Sequence, residues 1–542
     1  MPLSLSPREV LALYPSHNGT LSSLLETRVL AARDRPFVVF RGSSYSYGQV
    51  WELVNRAAAM YAARGIGAGD RVGVMSRNHI TTVATFLALS RLGATMCPFN
   101  PDFREEEASY VIGHSELGGI LCSPACLPIV HKALAQSGRG TWILLNEAGD
   151  AASSEQTWDA AMAEAPSGEL PDAATPESTC VFIYTSGTTG LPKAVMHAQR
   201  SVVLAGEGFV GRMHLQPHDR LLCILPAFHA NALFYSICGA LAAGATVILQ
   251  EGFSASTFWD TVKETGATEV NFIAAIPGIL AKRPRDEFVP GHRLEKICVG
   301  PLSQETEKLF TETFGVPDLL DGYGMSEVPG VCITPLRGER RLGSVGKLCR
   351  HPDPDLKFAE LRVVDEAGND LPAGQVGEFL VRTPTVMQGY FRDPEQTQAA
   401  FRDGEWFITG DLGYRDADDF IWFVGRKKDI IRKRGENISG AELDRVVGNH
   451  PAVQEAAAIA VPAELGEDEI LVVVVPRPGH QVSARDIADW CAARLARIKV
   501  PRFIVFVDHL PHTATHRVEK HKLKKDPSLL TRAIDLQESA RG

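Results

Sequence analysis

The segment from Val181 to Lys193 constrains this chain more than any other stretch of its sequence. It reads VFIYTSGTTGLPK, so an apolar strand runs directly into a loop with two glycines, four hydroxyl residues and a closing lysine. Such a loop presents backbone N–H groups and hydroxyls to a polyphosphate, and the lysine adds a positive charge. The spacing differs from the Walker A pattern GxxxxGKS/T, which disfavours the kinase-like P-loop folds.

The segment therefore predicts a phosphate-binding loop of another kind. The alternative is a Gly/Thr-rich turn that binds nothing, and the density of hydroxyl groups argues against it. The residues that we predict to contact the phosphates are Thr185, Ser186, Gly187, Thr188, Thr189, Gly190 and Lys193.

Short apolar stretches such as RVGVM and TVILQ alternate with helix-like segments such as TTVATFLALSRLGA, which indicates an α/β fold with largely parallel sheets. At 542 residues the chain exceeds what one hydrophobic core usually supports. Near Gly425 the apolar FIWFVG gives way to the basic RKKDIIRKRGENIS. We therefore predict a large N-terminal domain of αβ subdomains over 1–425 and a small, mobile α+β domain over 426–542.

Composition narrows the class of protein further. The formal net charge of -10 argues against a general nucleic-acid binder. Neither a secretory signal nor a membrane-spanning apolar run is evident, so no integral membrane segment is expected. Ten cysteines are scattered along the chain like small buried hydrophobic residues, which favours a reduced, cytoplasmic enzyme.

Four more motifs follow the phosphate-binding loop: LPAFHANAL at 225–233, DGYGMSE at 321–327, WFITGDLG at 406–413 and GRKKDIIRKRGENIS at 425–439. In DGYGMSE, an aromatic ring suits a nucleotide base, and a carboxylate suits Mg²⁺ that also binds phosphate oxygens. In TGDLG, a carboxylate can accept two hydrogen bonds from a vicinal diol. Alone, each of these residues would be interpreted as a turn residue.

With these five motifs in this order, the chain resembles the adenylate-forming superfamily of acyl-CoA synthetases, firefly-type luciferases and peptide-synthetase adenylation domains over nearly its whole length. The resemblance implies an AMP-forming acyl-CoA ligase. A small carboxylic acid would attack ATP to give an acyl-adenylate and pyrophosphate, and the thiol of CoA would then displace AMP. It also implies Mg²⁺ as the cofactor and allows a homodimer. The segments FHANAL and KRGENIS are most similar to those of ligases that act on carnitine-like and fatty, medium-chain acids, although the identity of the acid stays open.

The resemblance assigns roles to matching residues. Lys193, His229 and Glu327 are expected to be catalytic, with Glu327 also holding Mg²⁺, and Lys428 is expected to be the hinge of the C-terminal domain. The nucleotide contacts expected outside the loop are Gly300, Pro301, Gly322, Tyr323, Gly324, Met325, Ser326, Asp411 and Arg426. The expected acyl pocket consists of His229, Ala230, Asn231, Ala275, Gly300 and Val328. The expected CoA contacts are Arg434, Gly435 and Glu436.

The chain departs from the family at its last motif. A Gly-Lys pair is usual there, and its lysine enters the site for adenylation. Here His516 and Arg517 occupy the pair. Arginine keeps the charge and can bind two oxygens at once, so we expect Arg517 to be the catalytic substitute, with Lys520 as the alternative if the loop register differs.

Two other functions stay open on the sequence. One is an acyl-adenylate ligase that loads a carrier protein or another acceptor. The other is a catalytically silent, nucleotide-binding regulatory protein, which only the missing lysine suggests.

Overall fold

The computed structural model describes residues 4–137, 141–149, 155–168, 170, 172–185, 192–433, 436–462, 468–512 and 518–536. The chain forms two compact units. The first consists of Met1–Leu361 and Val381–Phe407, and the second of Arg362–Leu380 and Ile408–Gly542. The domain boundary predicted between residues 425 and 426 stays a prediction.

The α-helices of the described residues, in chain order, are α1 (Pro7–Ala12), α2 (Leu21–Ala32), α3 (Tyr47–Ala63), α4 (Ile80–Arg91), α5 (Glu105–Ser115), α6 (Leu127–Ser137), α7 (Trp158–Ala163), α8 (Gln199–Met213), α9 (Cys238–Ala243), α10 (Phe258–Thr265), α11 (Ala275–Ala281), α12 (Gln304–Lys308), α13 (Pro394–Ala399), α14 (Gly440–Gly448), α15 (Ala484–Ala492), α16 (Lys520–Lys524) and α17 (Pro527–Arg532). Two π-helical segments span Asn231–Ile237 and Leu309–Thr313. None of the helices in the described ranges is long and apolar enough to cross a membrane.

The strands are β1 (Pro36–Phe40), β2 (Ser43–Ser46), β3 (Arg71–Met75), β4 (Thr95–Phe99), β5 (Gly119–Cys122), β6 (Trp142–Leu145), β7 (Gln156–Thr157), β8 (Thr179–Thr185), β9 (Lys193–Ala198), β10 (Arg220–Cys223), β11 (Thr246–Leu249), β12 (Glu269–Ile273), β13 (Lys296–Gly300), β14 (Asp318–Leu320), β15 (Gly322–Tyr323), β16 (Cys332–Ile333), β17 (Lys347–Leu348), β18 (Glu360–Val364), β19 (Gly377–Arg382), β20 (Gly389–Tyr390), β21 (Phe401–Arg402), β22 (Trp406–Arg415), β23 (Ile421–Arg426), β24 (Ile430–Lys433), β25 (Glu436–Ser439), β26 (Val453–Pro462), β27 (Asp468–Pro476), β28 (Phe503–Phe506) and β29 (Ile534–Asp535).

Two large sheets form the framework of the first unit. One has the order β14-β13-β12-β10-β11-β1-β2 and is parallel except for the edge strand β2. The other has the order β20-β9-β8-β4-β3-β5-β6-β7 and is parallel from β8 to β7. Parallel strands covered on both faces are apolar throughout, which explains stretches such as RVGVM in β3. These sheets and their helices confirm the predicted α/β class.

The parallel order determines where functional loops can lie. Because the carboxyl ends of parallel strands meet at the same edge of a sheet, the segments after β10, β12, β13 and β14 are neighbours. These segments include the HANA sequence, Ala275, Pro301 and the DGYGMSE motif. The phosphate-binding loop follows β8 in the other sheet.

The second unit has its own core. Strands β26 and β27 pair antiparallel, β28 lies parallel to β27, and β29 completes the sheet. Apolar side chains of α14 and α15, among them Leu443 and Ile487, pack against this sheet with Val472 and Ile504. Strands β24 and β25 form a separate antiparallel hairpin. All ten cysteines of the chain are free thiols, and nine of them are buried.

A buried group of charges lies at the start of β12 and β13. The Lys296 ammonium lies 2.7 Å from the Asp219 carboxylate, and Lys296 is the register partner of Glu269. Glu269 is fully buried, and neither of its carboxyl oxygens has a hydrogen-bond partner among the described residues. Burial raises the pKa of Glu269 from 4.5 to about 8, although Lys296 opposes the shift. Glu269 is therefore protonated in the folded protein at neutral pH.

This pKa predicts how stability depends on pH. Because the folded pKa of Glu269 lies above the unfolded value, its contribution is fully present below about pH 4.5 and is lost as pH rises through about 8. Glu269→Gln keeps the size of the side chain and removes its titration. Relative to wild type, the variant should gain roughly 3–5 kcal/mol between pH 4.5 and 8.5.

The measurement is the unfolding temperature of both proteins across this pH range. Only the difference between them matters, because all other titrating groups are shared. Parallel pH profiles would contradict the assignment of a neutral Glu269.

Candidate active site

The phosphate-binding loop is held by a hairpin between β8 and β9. Thr185, the last residue of β8, is paired with Lys193, the first residue of β9. Both ends of the loop are thus fixed by one ladder. The predicted phosphate contacts Ser186, Gly187, Thr188, Thr189 and Gly190 lie outside the described residues.

Lys193 is placed by two side chains that the sequence motifs did not identify. Its ammonium donates a hydrogen bond to Oε1 of Gln396 and lies 5.1 Å from the centroid of the Tyr390 ring. Tyr390 belongs to β20, which pairs antiparallel with β9, and Gln396 belongs to α13. A cation beside an aromatic face is favourable and restricts where the lysine can point.

Tyr390 also links Lys193 to Glu327. The Tyr390 hydroxyl donates a hydrogen bond of 3.1 Å to Oε1 of Glu327. Glu327 is buried, and its carbonyl accepts a hydrogen bond of 2.8 Å from the backbone N–H of Met387. The structure therefore brings together the closing lysine of the loop and the carboxylate of DGYGMSE, with Tyr390 between them.

The DGYGMSE motif is a short strand followed by a tight turn. Gly322 and Tyr323 form β15, and Met325 and Val328 exchange backbone hydrogen bonds of 3.2 and 3.1 Å. A Cβ on Gly324 would lie 2.7 Å from the backbone nitrogen of Gly330, so glycine is required there. The turn is therefore closed by its own backbone.

His197 fixes the turn from outside the motif. Burial lowers the pKa of His197 to about 4, so its imidazole is neutral, and its Nε2 donates a hydrogen bond of 2.7 Å to the Ser326 carbonyl. The ring of Phe234 packs edge-on against it at 4.9 Å. The sequence offered no signal for this role, since a lone histidine in an apolar strand is usually a core residue.

Gly300 lies against the start of the same motif. A Cβ on Gly300 would lie 2.8 Å from the Gly322 carbonyl oxygen and 3.0 Å from Oδ1 of Asp321. Asp321 accepts a hydrogen bond of 2.8 Å from the N–H of Leu302, which follows Pro301. Burial nevertheless raises the pKa of Asp321 to about 6.

The predicted acyl-pocket residues lie on neighbouring segments of one sheet edge. Asn231 begins the π-helix Asn231–Ile237, directly after His229 and Ala230. Ala275 begins α11, and Val328 is fully buried. π-Helical turns occur often at functional sites because they push side chains out of the regular helical spacing.

In the second unit, Asp411 and Arg426 form an ion pair. They are register partners in β22 and β23, and Nε of Arg426 lies 3.1 Å from Oδ1 of Asp411. The Asp411 carboxyl is buried, and its backbone N–H donates to Oγ1 of Thr409 at 3.0 Å. The predicted ribose-binding pair is thus present as a preformed pair.

The other predicted residues of the second unit are spread over separate elements. Lys428 lies in a single 3₁₀ turn between β23 and β24, and burial lowers its pKa. Glu436 begins β25. Lys520 begins α16, and its ammonium lies 2.5 Å from the Asp444 carboxylate. The predicted residues Arg434, Gly435 and Arg517 lie outside the described residues.

Glu327 is a suitable but incomplete magnesium ligand. In the part of the chain that the structure describes, no three His, Cys, Asp or Glu side chains form a metal-binding group. Mg²⁺ is commonly bound through one or two carboxylates, with substrate phosphates and water completing its shell. A single buried carboxylate therefore fits a metal ion that arrives with a nucleotide.

Comparison with known proteins identifies the family of the chain. The sequence profile of the AMP-binding enzyme family matches residues 25–391, and that of the AMP-binding enzyme C-terminal domain matches residues 442–517. The sulfoacetate–CoA ligase of Cupriavidus necator is 32% identical over 94% of this chain and 98% of that protein. The oxalate–CoA ligase of Arabidopsis thaliana is 32% identical over 93% and 98%.

A solved structure extends the agreement to the fold. The anthranilate CoA ligase AuaEII, solved with anthranoyl-AMP, superimposes with a TM-score of 0.85 and 25% identity over 95% of this chain and 98% of that chain. The fold is thus that of an acyl-CoA synthetase. The chain belongs to the AMP-binding enzyme family, which confirms the superfamily expected from the five motifs.

The close approach of Gly300 to Gly322 generates a prediction. Gly300→Ala should force the DGYGMSE strand away and destabilise the first unit by roughly 1–3 kcal/mol, because the nearest atoms include backbone. Gly278→Ala in α11 is the matched control, since its new Cβ would meet nothing within 4 Å. Thermal unfolding of both variants is the measurement, and equal midpoints would contradict the packing described here.

Proposed function

We propose that this enzyme joins a small carboxylic acid to CoA with the residues assigned here. Its class is that of the AMP-forming acid–thiol ligases, with ATP and CoA as substrates. That class was predicted from the motifs and is confirmed by the named relatives, which do not favour the carrier-protein ligase or the silent regulatory protein. The roles of single residues, Mg²⁺ and the identity of the acid belong to the proposal.

The observation that carries the proposal is the linked group of Lys193, Tyr390 and Glu327. It joins the end of the phosphate-binding loop to the acidic end of DGYGMSE within one unit. A cation and a carboxylate that binds Mg²⁺ are two features that suit a triphosphate. Both contact Tyr390: Lys193 lies over its ring, and Glu327 accepts a hydrogen bond from its hydroxyl.

The chemistry requires no nucleophile from the enzyme. A carboxylate oxygen of the substrate forms a bond to the α-phosphorus of ATP, and the bond to pyrophosphate breaks. The CoA sulfur then bonds to the acyl carbon, and AMP leaves with the electron pair of the mixed anhydride. Positioning and charge stabilisation supply the catalysis. Lys193 would stabilise phosphate charge, and Asp411, oriented by Arg426, would accept hydrogen bonds from the ribose.

The remaining assigned residues shape the pocket around the reacting atoms. Tyr323 would stack on the base, and the Ser326 hydroxyl would contact phosphate, with its backbone anchored by His197. His229 would border the acyl group. Glu327 would hold Mg²⁺, which supplies charge neutralisation on the phosphate oxygens when bound.

The second half of the reaction draws on the C-terminal residues. Arg434, Gly435 and Glu436 are assigned to CoA, where a glycine leaves space for the pantetheine arm. Lys428 is assigned as the hinge. The single 3₁₀ turn that holds it supports this assignment, because only this short turn joins β23 to β24.

Arg517 is favoured over Lys520 as the cation that enters the site for adenylation. Lys520 already has a counter-ion, since its ammonium contacts the Asp444 carboxylate and its side chain is only 11% exposed. Removing a buried lysine from its partner would leave an uncompensated carboxylate. This ion pair supports a structural role for Lys520.

The identity of the substrate acid cannot be inferred from the relatives. They are named for sulfoacetate, oxalate and anthranilate, which differ in size, charge and aromaticity. The similarity to ligases of carnitine-like and medium-chain acids therefore stays a prediction, as do a homodimer and a cytoplasmic location, which the ten free thiols support.

The experiment that tests the function is a reaction with ATP, Mg²⁺, CoA and a panel of short, medium, long, aromatic, dicarboxylic and betaine-type acids. Mass spectrometry should show AMP and one matching acyl-CoA in equal amounts. AMP without a thioester would move the acceptor to a carrier protein. Absence of AMP with every acid would overturn the proposed function.

Loss of the linked group should abolish adenylation. Lys193→Ala and Glu327→Gln should each lower the rate of pyrophosphate release about 100-fold or more, because each removes charge stabilisation at the phosphates. Lys308→Ala is the control, since that side chain is exposed and its ammonium lies 3.9 Å from the exposed Glu312 carboxylate. Rates of the three variants within about threefold of wild type would sink the residue assignment.

The roles of Arg517 and Lys520 can be distinguished by measuring the two half-reactions separately. Arg517→Ala should lower adenylation at least about 100-fold and leave thioester formation from a supplied acyl-adenylate near its wild-type rate. Lys520→Ala should instead lower the unfolding temperature, because it strands the Asp444 carboxylate. Normal adenylation by Arg517→Ala, together with its loss in a folded Lys520→Ala, would reverse the two roles.

A further inference from the structure

Arg212 is a buried cation that has no carboxylate partner among the described residues. It lies near the end of α8 and is 7% exposed. Its Nε and Nη2 atoms have no hydrogen-bond partner in the described ranges. A buried charge is strongly unfavourable unless it is paired, so an unpaired guanidinium inside a domain calls for a physical explanation.

The surroundings of Arg212 stabilise a cation only in part. Its guanidinium carbon lies 4.3 Å from the centroid of the Tyr235 ring and 5.1 Å from that of Phe209, which are cation–π distances. The Tyr235 hydroxyl and the thiols of Cys298 and Cys349 are the polar groups near it, and burial raises the pKa of the two thiols to about 12 and about 11. Both thiols are therefore neutral, and no full negative charge is supplied.

The elements around Arg212 are the same elements that carry the predicted acyl pocket. Tyr235 belongs to the π-helix that begins at Asn231. Cys298 lies two residues before Gly300 on β13, so both point to the same face of the sheet. Gly330 follows the pocket residue Val328 by two positions. The guanidinium therefore lies among the elements that carry the predicted acyl pocket.

The loop at Gly330 is shaped around the guanidinium. Gly330 has a φ of +72°, and a Cβ there would lie 2.7 Å from Nη1 and 3.0 Å from Cζ of Arg212. Any side chain would thus displace the arginine or the loop. Glycine thus lets the backbone approach the guanidinium closely, while Nε and Nη2 have no hydrogen-bond partner among the described residues.

We propose that Arg212 is a specificity-determining residue that binds a second anionic group, a carboxylate or a sulfonate, at the far end of the substrate acid. The inference rests on the proposed function and names its substrate class: short dicarboxylic or sulfocarboxylic acids. Guanidinium can bind either group through two parallel hydrogen bonds. The same positive charge repels the trimethylammonium group of a betaine, and a plain alkyl chain would leave the cation unpaired.

The test compares acids that differ only at the far end, where a methyl group replaces the second anionic group: butyrate with succinate, propionate with malonate, and propionate with sulfoacetate. For wild type, kcat/KM should be at least about 10-fold higher for the dianionic member of one pair. In Arg212→Met, which keeps length and loses charge, kcat/KM for that acid should fall about 100-fold, while kcat/KM for its monoanionic partner changes less than about threefold. Comparing malonate and succinate with sulfoacetate distinguishes the carboxylate from the sulfonate.

Arg91→Met is the matched control. Arg91 is also a buried arginine on an aromatic ring, 4.9 Å from the centroid of Trp51, but it lies in α4 and donates to the Leu170 carbonyl. Its loss should lower the unfolding temperature and leave the ratio of the paired acids unchanged. A purely structural role of Arg212 would give the same pattern as Arg91.

Binding without catalysis keeps the inference testable if Arg212→Met does not fold. The preferred dianionic acid, added alone to wild type, should raise the unfolding temperature, and its monoanionic partner should not. A wild-type enzyme that forms AMP but favours the monoanionic member of every pair would overturn the role of Arg212 and leave the ligase function intact. Absence of AMP with every acid would instead overturn the proposed function, and the unfolding temperatures would still decide whether Arg212 binds an anion.

Discussion

The antiparallel pairing of β9 with β8 is the contact on which the site depends. In a sheet that is otherwise parallel over β8 to β7, this one hairpin fixes both ends of the phosphate-binding loop through the pair Thr185 and Lys193. The same strand then serves as the template for β20, which delivers Tyr390 to the side of Lys193. One ladder thereby sets the loop, its cation and the residue that links the cation to Glu327.

Several buried polar side chains of the first unit hold backbone in place through hydrogen bonds. His197, neutral because of its burial, anchors the Ser326 carbonyl, and Asp321 accepts the N–H of Leu302. Each of these contacts fixes backbone near DGYGMSE through a hydrogen bond made by a buried side chain. Burying these polar groups is unfavourable, but their hydrogen bonds fix the position of the backbone. Accurate positioning matters most in a reaction that uses no enzyme nucleophile.

The sequence was sufficient for the class of fold and for the motif residues, because strand-loop patterns and chemistry-bearing side chains are local features. It could not reveal Tyr390, Gln396 or His197. Tyr390 reaches the site by pairing across nearly two hundred residues, and nothing in the local sequence GYF distinguishes it from an ordinary edge strand. His197 faces the core like many strand histidines, and only its partner, a carbonyl of a distant turn, gives it a role.

Arg212 is the clearest case of a residue whose role the sequence alone could not reveal. On the sequence it is one of many basic residues near a helix end, where a favourable interaction with the helix dipole would be sufficient explanation. Its meaning depends on what is missing around it, and a missing counter-ion can be recognised only when the neighbours are known in space. Two aromatic rings and two neutral thiols stabilise the guanidinium without satisfying it. A pocket built in this way is most stable when its ligand supplies the charge, so affinity and selectivity for the acid would have one physical origin.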